Sequence, residues 1–204
     1  MESVYDVVIL FSGGADSILM SKIAEILKLK PYYLLIDYGQ LHIEELDFAV
    51  QYLRKNQFGV VGTTECTAVS SYGPIEENWT KVKIDLNVNS ALTGSGEKAL
   101  YEGVSQYHVP MRNTIFLSLA CSYAESMGIP KVWIGCDYSD REHRFIDCYQ
   151  DYIISVNELL NVASPVAITV EAPLLGFSKE MVNKILKSYN VDMKTIYSGY
   201  GVFA

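Results

Sequence analysis

The sequence lacks an apolar run long enough to cross a membrane, and it is poor in basic residues. Its 204 residues include 16 lysines and arginines against 24 aspartates and glutamates, which gives a net charge of −8. Because a membrane span needs about 20 consecutive apolar residues, we expect no membrane segment. Nucleic-acid binders neutralise phosphates with clustered basic side chains, so this balance argues against a nucleic-acid partner. A small-molecule substrate fits the composition better.

Cysteine is also scarce, and its spacing is uninformative. The four cysteines are Cys66, Cys121, Cys136 and Cys148, and no two of them form a Cys-x-x-Cys pair. The sequence therefore shows neither a zinc knuckle nor a redox motif of that kind. Isolated cysteines are typical of buried apolar positions in a reducing compartment. The first residues have no basic and apolar leader pattern, and we expect a cytoplasmic protein.

The most informative stretch is a short apolar run that ends in a glycine turn. Residues 7–11 are apolar and rich in β-branched side chains, which predicts a strand buried on both faces. Ser12–Gly14 follow, and Asp16 and Ser17 are typical of a helix start. Glycine N–H groups and the positive end of a helix dipole bind anions well. The stretch predicts a phosphate-binding loop, although a turn that merely needs glycine is the simpler alternative.

This loop differs from the two commonest nucleotide-binding motifs. No lysine follows the glycines, as the triphosphate P-loop requires, and the dinucleotide fingerprint is absent. The complete Ser-Gly-Gly-x-Asp-Ser pattern instead resembles the PP-loop of the ATP pyrophosphatases. This resemblance implies that the loop holds the pyrophosphate of ATP while the α-phosphate is attacked. Asp16 would then be an oxygen ligand for Mg²⁺.

Strand and helix patterns alternate along the rest of the chain. Further strands are predicted at 32–36, 60–66, 131–135 and 167–171. Helices are predicted at 16–27, 43–56, 114–127, 147–161 and 178–188, and a long loop insertion at 67–107. The alternation is typical of one domain with a doubly wound, mainly parallel, Rossmann-like α/β sheet. Because ligands bind at the carboxyl ends of such strands, we expect Ser12–Ser17, Asp37–Gln40 and Cys136–Asp140 to share one edge.

Four patches of sequence resemble one enzyme family. They are Ser12–Ser17, Asp37–His42 with Glu44 and Glu45, Val109–Ser118, and Phe145–Cys148. In this order and at this spacing the chain resembles the QueC family of 7-cyano-7-deazaguanine synthases, and Ser90–Thr93 and Glu171–Leu174 match as well. The resemblance extends to about Ser198 and implies a fold of the adenine nucleotide alpha hydrolase type.

The resemblance implies an ATP-dependent and Mg²⁺-dependent ligase that acts on 7-carboxy-7-deazaguanine. The substrate carboxylate attacks the α-phosphate of ATP, and ammonia displaces AMP from the acyl adenylate. A second activation by ATP converts the amide into the nitrile. The protein has to position the reactants and stabilise charge. We also expect a homodimer.

The resemblance also implies the site residues. The candidate catalytic residues are Asp16, His42 and Arg112. The candidate ATP-binding residues are Phe11, Ser12, Gly13, Gly14, Asp16, Ser17, Asp37, Tyr38 and Gln40. The candidate substrate-binding residues are Arg112, Asn113, Asp137, Asp140, Phe145 and Asp147. Arg112 suits an anion because its guanidinium is a planar, bidentate donor. The Asp147 carboxylate can accept two hydrogen bonds from a guanine-like edge.

Several of these residues also have a structural interpretation. Arg112 could be an exposed residue before a helix that Asn113 caps. Asp147 could be a surface cap, and His42 a structural hydrogen-bonding group. Asp137 and Asp140 fit solvated loop positions equally well.

The chain departs from the family pattern at several positions. Family members end in a cysteine-rich tail that binds zinc, whereas 195–204 contain no cysteine, so we predict no zinc site. Leu41 and Tyr149 stand where the family usually has arginine, and Met111 replaces a usual glycine. We interpret the chain as a trimmed, divergent member of a kind that a bacteriophage could encode. A variant that stops at the amide or uses another amine, a tRNA-modifying PP-loop enzyme and a non-catalytic nucleotide-binding subunit are alternatives.

Overall fold

The computed structural model describes residues 3–56, 65–66, 78–86, 90, 92–93, 102, 107–142, 145–191, 193 and 196. The strands are β1 (Val7–Leu10), β2 (Pro31–Asp37), β3 (Glu65–Cys66), β4 (Trp79–Lys83), β5 (Lys131–Trp133) and β6 (Thr169–Glu171). The helices are α1 (Ala15–Ile26), α2 (Glu44–Asn56), α3 (Arg112–Met127), α4 (Tyr138–Glu142), α5 (Gln150–Ala163) and α6 (Lys179–Ser188), with a 3₁₀ turn at Ile146–Cys148. None of the helices in the described part of the chain combines the length and the apolar composition that a membrane span requires.

The strands form one parallel sheet in the order β3-β4-β2-β1-β5-β6. The predicted parallel α/β sheet is confirmed. On one side of β1, Val8 pairs with Tyr32 of β2, and on the other side it pairs with Val132 of β5. The strand order therefore reverses at β1. Ligands of open α/β sheets bind at such a switch point, beyond the carboxyl ends of the strands.

Alternate residues of the central strands enter two separate cores. Val7 and Ile9 lie in one core with residues of α1, α2 and α6, whereas Val8 lies in the other with residues of α3 and α5. Successive side chains of a strand point to opposite faces of the sheet, so β1 is covered by helices on both sides. This explains why its sequence is apolar throughout and confirms the doubly wound arrangement.

Residues 79–83 form strand β4, where the sequence predicts a loop. β4 lies inside the sheet, between β2 and β3. Trp79 and Val82 enter opposite cores, and Lys81 Nζ lies 3.9 Å from Asp37 Oδ2 on the neighbouring strand. The predicted loop at 67–107 is therefore wrong at these residues, and most of its remainder lies outside the described residues. Of the strand predicted at 60–66, the structure describes Glu65–Cys66.

Two helices begin two or more residues away from the start that the sequence predicts. The helix predicted from Asp147 begins at Gln150, because residues 146–148 form the 3₁₀ turn. Helix α3 begins at Arg112, two residues early, after Met111 in the left-handed backbone region with φ 58°. Helix α6 follows the prediction, because Ser178 Oγ accepts the Met181 N–H at 3.3 Å as an N-cap.

Candidate active site

The loop after β1 is a tight turn that packs directly on α2. Gly13 has a φ of +83°, which glycine adopts without strain. A Cβ at this position would lie 3.0 Å from the Cα of Ala49, so glycine is also needed for the close approach. Phe11 donates its N–H to Leu34 O at 2.9 Å, and its buried ring packs against Tyr33. Phe11 thus anchors the loop from the core.

Two serine hydroxyls bond to the backbone of this loop. Ser17 Oγ accepts the Gly13 N–H at 3.0 Å and donates to Gly14 O at 2.9 Å. The Ser17 side chain is buried, so it stabilises the loop itself. Ser12 is exposed, and its Oγ accepts the Gly14 N–H at 3.3 Å. Ser12 is therefore the hydroxyl of the loop that can reach a ligand.

Three charged side chains from distant parts of the chain meet beside the loop. Lys179 Nζ lies 2.5 Å from Asp16 Oδ2 and 3.4 Å from Asp137 Oδ2. Asp16 stands in the first turn of α1, Asp137 follows β5, and Lys179 opens α6 after β6. The carboxyl ends of three parallel strands therefore lead to one charged cluster. The expectation that Ser12–Ser17 and Cys136–Asp140 share an edge is confirmed.

Burial and neighbouring charges shift the proton affinities in this cluster. Burial raises the pKa of Asp16, Lys179 opposes the rise, and Asp137 adds to it. Burial alone would lower the pKa of Lys179, but Asp16 and Asp137 outweigh it and leave that pKa raised. Among the described residues, Asp16 Oδ1 and Asp137 Oδ2 are the buried side-chain atoms without a hydrogen-bond partner. Two carboxylate oxygens without a hydrogen-bond partner fit Mg²⁺, which prefers oxygen ligands.

Asp137 and Asp140 cap the short helix α4 reciprocally. Asp137 Oδ1 accepts the N–H groups of Ser139 at 2.8 Å and of Asp140 at 3.2 Å. Asp140 Oδ2 accepts the Asp137 N–H at 2.9 Å, which completes a capping box. Burial raises the pKa of Asp140 to about 6. Asp137 is 1% exposed, so the alternative of a solvated loop carboxylate is wrong for this residue.

Arg112 lies over two aromatic rings at the start of α3. Its Cζ is 5.8 Å from the ring centroid of Tyr38 and 5.9 Å from that of Phe116, within the range of a cation–π contact. Burial raises the pKa of Glu45 on α2 to about 7, and attraction to Arg112 and a hydrogen bond from Ser12 limit the rise. Ser12, Tyr38, Glu45 and Arg112 therefore link the loop to α3.

The turn after β2 is held by its own polar side chains. Asp37 Oδ1 accepts the Gly39 N–H at 3.2 Å, and Gln40 Oε1 accepts the Tyr38 N–H at 3.0 Å. Asp37 and Gln40 are buried, so both shape the turn that presents Tyr38. Their contact with ATP stays a prediction. His42 lies exposed beyond the turn, and its catalytic role also stays a prediction.

Asn113 connects the start of α3 to the 3₁₀ turn. Its Oδ1 accepts from Arg112 Nε at 3.4 Å. Its Nδ2 lies 3.4 Å from both Asp147 O and Cys148 Sγ, and donates to both. Met111 occupies the N-cap position of α3, so the alternative in which Asn113 caps the helix is wrong. Asn113 instead joins Arg112 to Asp147, two of the candidate substrate-binding residues.

Two cysteines and an aspartate lie together behind the 3₁₀ turn. A hydrogen bond to Cys148 and burial raise the pKa of the Cys136 thiol well above its usual value. Potential ligand atoms of Cys136, Asp140 and Cys148 all lie within 4.8 Å of one another. Phe145 is half-buried against the same core as Cys148. The sequence spacing of these residues matches no common metal motif, so the cluster is recognisable only from the fold.

Comparison with known proteins identifies the family. The sequence profile of the family described as "Queuosine biosynthesis protein QueC" matches residues 6–202. The chain belongs to the QueC family. The 7-cyano-7-deazaguanine synthase of Prochlorococcus marinus subsp. pastoris is 33% identical over 205 residues, which cover 95% of this chain and 83% of that protein. The synthase of the same name from Pseudomonas savastanoi pv. phaseolicola is also 33% identical, over 95% of this chain and 80% of that protein.

Solved structures support the fold of this QueC protein. The NH3-dependent NAD synthetase from Campylobacter jejuni superposes with a TM-score of 0.53 at 17% identity, over 97% of this chain and 70% of that one. At this identity the likeness shows the α/β fold alone. The QueC relatives are named as synthases, so the chain is a member of an enzyme family.

Two residues at the site of this QueC protein were not selected from the sequence. Glu45 belongs to a patch that resembles the family, but no role was assigned to it. Its position in the first turn of α2, close behind the Asp37–Gln40 turn, was the available signal. The expectation that ligands bind at the carboxyl ends of the strands was applied only to the residues after β1, β2 and β5. Lys179, which follows β6, was therefore missed. Lys179 is the first helical residue after that strand.

Proposed function

We propose that this QueC protein is an ATP-dependent carbon–nitrogen ligase that converts 7-carboxy-7-deazaguanine and ammonia into 7-cyano-7-deazaguanine. The observation that supports this proposal is the meeting of Asp16, Asp137 and Lys179 beside a glycine turn at the switch point of the sheet. Such an arrangement is suited to the phosphates of ATP. The relatives named 7-cyano-7-deazaguanine synthase supply the product class.

The reaction has two activation steps. A carboxylate oxygen of the substrate bonds to the α-phosphorus of ATP, and the bond to pyrophosphate breaks. Ammonia then bonds to the activated carbonyl carbon, AMP leaves, and loss of a proton gives the amide. The amide oxygen attacks the α-phosphorus of a second ATP, again with release of pyrophosphate. Loss of AMP and of both amide protons from that adduct leaves the nitrile.

The residues beside the first loop act on ATP. The exposed Ser12 hydroxyl and the positive end of α1 bind the pyrophosphate group, since the Gly13 and Gly14 N–H groups donate to serine hydroxyls of the loop itself. Lys179 offers its ammonium to the negative charge that develops on the phosphates. Asp16 and Asp137 would hold Mg²⁺, which supplies further charge neutralisation when it is bound. The Asp37–Gln40 turn lies on the same edge of the sheet, and its buried Tyr38 ring contacts the Arg112 guanidinium.

The residues at the start of α3 and in the 3₁₀ turn act on the deazaguanine. Asp147 accepts hydrogen bonds from the ring N–H and the exocyclic amine of the guanine-like edge. Arg112 binds the substrate carboxylate or the phosphate that it attacks, because a guanidinium pairs well with planar anions. Asn113 fixes the spacing between Arg112 and Asp147 through its hydrogen bonds to both. Binding of both substrates on one edge converts the attack on ATP into a reaction of positioned groups.

Mass analysis of the product tests the proposal directly. The purified protein is incubated with ATP, Mg²⁺, ammonium and 7-carboxy-7-deazaguanine, and the products are identified by mass. We expect the nitrile, together with AMP and pyrophosphate. Asp16→Asn should stop AMP release, whereas Lys184→Met, an exposed position on α6, should not. A product that remains the amide would establish the amide-forming variant and overturn the nitrile assignment.

Isotope exchange separates an enzyme from a nucleotide-binding subunit. Labelled pyrophosphate should enter ATP only when 7-carboxy-7-deazaguanine is present, because the acyl adenylate forms reversibly. ATP binding without any such exchange would contradict the proposed ligase activity.

The partners expected from the resemblance belong to the same proposal. The protein acts as a cytoplasmic homodimer on small molecules, with ammonia as the nitrogen donor and without a nucleic-acid partner. The net charge of −8 supports the last point, because a nucleic acid would be repelled. Light scattering on the purified protein measures the oligomeric state, and a monomer at micromolar concentration would contradict the homodimer.

A further inference from the structure

The carboxyl end of β5 and the 3₁₀ turn bring together three side chains that the proposed ligase reaction does not require as a group. Cys136 follows β5, Asp140 lies on α4, and Cys148 closes the 3₁₀ turn. One potential ligand atom from each residue lies within 4.8 Å of the other two. Two sulfurs and a carboxylate oxygen at such spacing can converge on one cation with small side-chain adjustments. We propose that Cys136, Asp140 and Cys148 bind a zinc ion and leave a fourth coordination position open.

The chemistry of the ligands selects the metal. Thiolates favour zinc and other soft or borderline cations, whereas Mg²⁺ prefers a shell made only of oxygen. Two cysteines and one carboxylate balance the charge of a divalent ion and leave one excess negative charge. Three protein ligands are the number found where zinc keeps a position open for water or a bound molecule. This site is therefore chemically distinct from the Mg²⁺ ligands proposed at Asp16 and Asp137.

The surroundings hold the ligands in place, as the outer shell of a metal site does. Asn113 Nδ2 lies 3.4 Å from Cys148 Sγ and donates to it. The Asp137 N–H bonds to Asp140 Oδ2 at 2.9 Å, which fixes the carboxylate and leaves its other oxygen for a metal. Cys136 and Cys148 are both buried, so the site lies within the fold. Hydrogen bonds to ligands of this kind orient them and tune the bound metal.

The position of the site lets the metal connect three elements of the fold while its fourth coordination position stays open. The ion would connect the end of β5 to α4 and to the 3₁₀ turn that contains Asp147. It would thereby hold the 3₁₀ turn, to which Asn113 bonds, against the end of β5, where Asp137 of the charged cluster lies. The sequence alone predicts no zinc site, because residues 195–204 lack the cysteines of the zinc tail that the family resemblance implies. The site proposed here replaces that prediction and uses different residues in a different part of the fold. The proposal does not depend on the proposed ligase function.

Cobalt substitution tests the site through its thiolate ligands. The protein is purified under reducing conditions, treated with a chelator, and titrated with Co²⁺ alone. We expect one ion per chain, with a sulfur-to-cobalt charge-transfer band in the near ultraviolet that added Zn²⁺ abolishes. Cys136→Ser and Cys148→Ser should each weaken binding by more than about 100-fold, the upper cost of losing an outer-shell partner. Cys121→Ser removes another buried cysteine and should leave the band unchanged.

A measurement on the unaltered protein keeps the test independent of the variants. X-ray absorption at the zinc edge of the zinc-loaded protein should show two sulfur neighbours at about 2.3 Å and oxygen in the rest of the shell. A shell of oxygen and nitrogen alone would overturn the proposal. So would a cobalt band of equal strength in Cys136→Ser, or an equal loss of the band in Cys121→Ser.

Discussion

Lys179 Nζ lies 2.5 Å from Asp16 Oδ2, although the two residues are separated by 163 positions in the chain. The contact joins the first turn of α1 to the first turn of α6. Asp137 lies 3.4 Å from the same ammonium group. One lysine therefore balances two neighbouring carboxylates.

Replacement of this lysine should destabilise the protein. Lys179→Met leaves Asp16 and Asp137 facing each other without this cation. An exposed ion pair contributes ~1 kcal/mol at most to the free energy of unfolding, and we expect a larger loss here. Asp16→Asn in the same background should recover part of the loss. Urea unfolding at neutral pH gives the free energies of unfolding of Lys179→Met, of the double variant and of a control, Lys184→Met. Lys184→Met removes an exposed lysine of the same helix and should change stability by less than about 0.5 kcal/mol; equal losses in the two single variants would contradict the prediction.

A pair of glycines separates backbone strain from steric contact. Gly13 and Gly39 have nearly the same φ, +83° and +81°, but a Cβ at Gly13 would meet Ala49 at 3.0 Å, whereas Gly39 has nothing within 4 Å. Gly39→Ala should cost about 1–2 kcal/mol, the strain of a left-handed residue. Gly13→Ala should cost about 1–3 kcal/mol more, because it overpacks the contact with α2. Thermal unfolding of both variants measures the difference in destabilisation. Equal destabilisation would show that α2 shifts to accommodate the added Cβ at no cost.

The raised pKa of Glu45 predicts a dependence of stability on pH. Because burial raises this pKa from 4.5 to about 7, the folded state binds the proton more tightly than the unfolded chain does. The resulting stabilisation is complete below pH 4.5 and is lost as the pH rises through about 7. Glu45→Gln removes this titration. The free energy of unfolding of the wild type relative to Glu45→Gln should therefore fall between pH 4.5 and 7, as urea titrations across that range would show.

Glu44→Gln is the control for the pH experiment. Glu44 is the neighbouring residue on α2 and is exposed. Its replacement should leave the pH profile parallel to that of the wild type. If the two glutamine variants give the same profile, burial of Glu45 does not govern its proton affinity.

Asp147 should determine binding of the deazaguanine. Asp147→Asn converts half of the acceptor pair into a donor, which then faces another donor on the base. A buried unpaired group costs about 1–3 kcal/mol, so we expect binding of 7-carboxy-7-deazaguanine to weaken roughly tenfold to a hundredfold or more. ATP binding should be nearly unchanged. Calorimetric titration with each ligand measures both effects. Asp151→Asn, at an exposed position in the first turn of α5, should weaken neither. If both ligands weaken together in Asp147→Asn, the residue is a structural or metal-binding group.

The centre of the fold could be predicted from local sequence. β1 is buried on both faces and ends at glycines, so the apolar run and the turn residues indicate the same boundary. Because the carboxyl ends of parallel strands lie at the same edge of a sheet, the sequence also placed Asp16 near Asp137 without any knowledge of contacts. These predictions succeeded where local pattern and tertiary environment agree.

Strand β4 shows where local pattern was insufficient. Lys81 and Lys83 give it the composition of an exposed segment, and the preceding region has weak periodicity. Its place inside the sheet depends on tertiary pairing, in which Lys81 approaches Asp37 and Val82 enters a core. Apolar and polar residues alternate from Val82 to Leu86, which was a strand signal, but the stretch was too short to outweigh the composition.

The contacts of the charged cluster and of the cysteine cluster depend on closure of the chain in three dimensions. Lys179 reaches Asp16 only after α6 has packed beside α1. Cys136 and Cys148 meet because the 3₁₀ turn folds back to the end of β5. Neither pair has a sequence spacing with a physical meaning of its own, so local reasoning cannot identify it.

The order of strands in the sheet has a consequence for how the chain folds. β3 precedes β4 in the sequence, yet in the described part of the sheet it pairs with β4, which pairs with β2. The edge strand β3 can therefore join the sheet only after β4 has paired with β2. On the other side of β1, Val8 pairs with Val132 of β5, which lies more than 120 positions later in the chain. Since closing longer loops costs more entropy, we expect β1 and β2 to assemble early and the β5–β6 half to add late. The Ser12–Ser17 loop would then be formed well before Lys179 packs beside it.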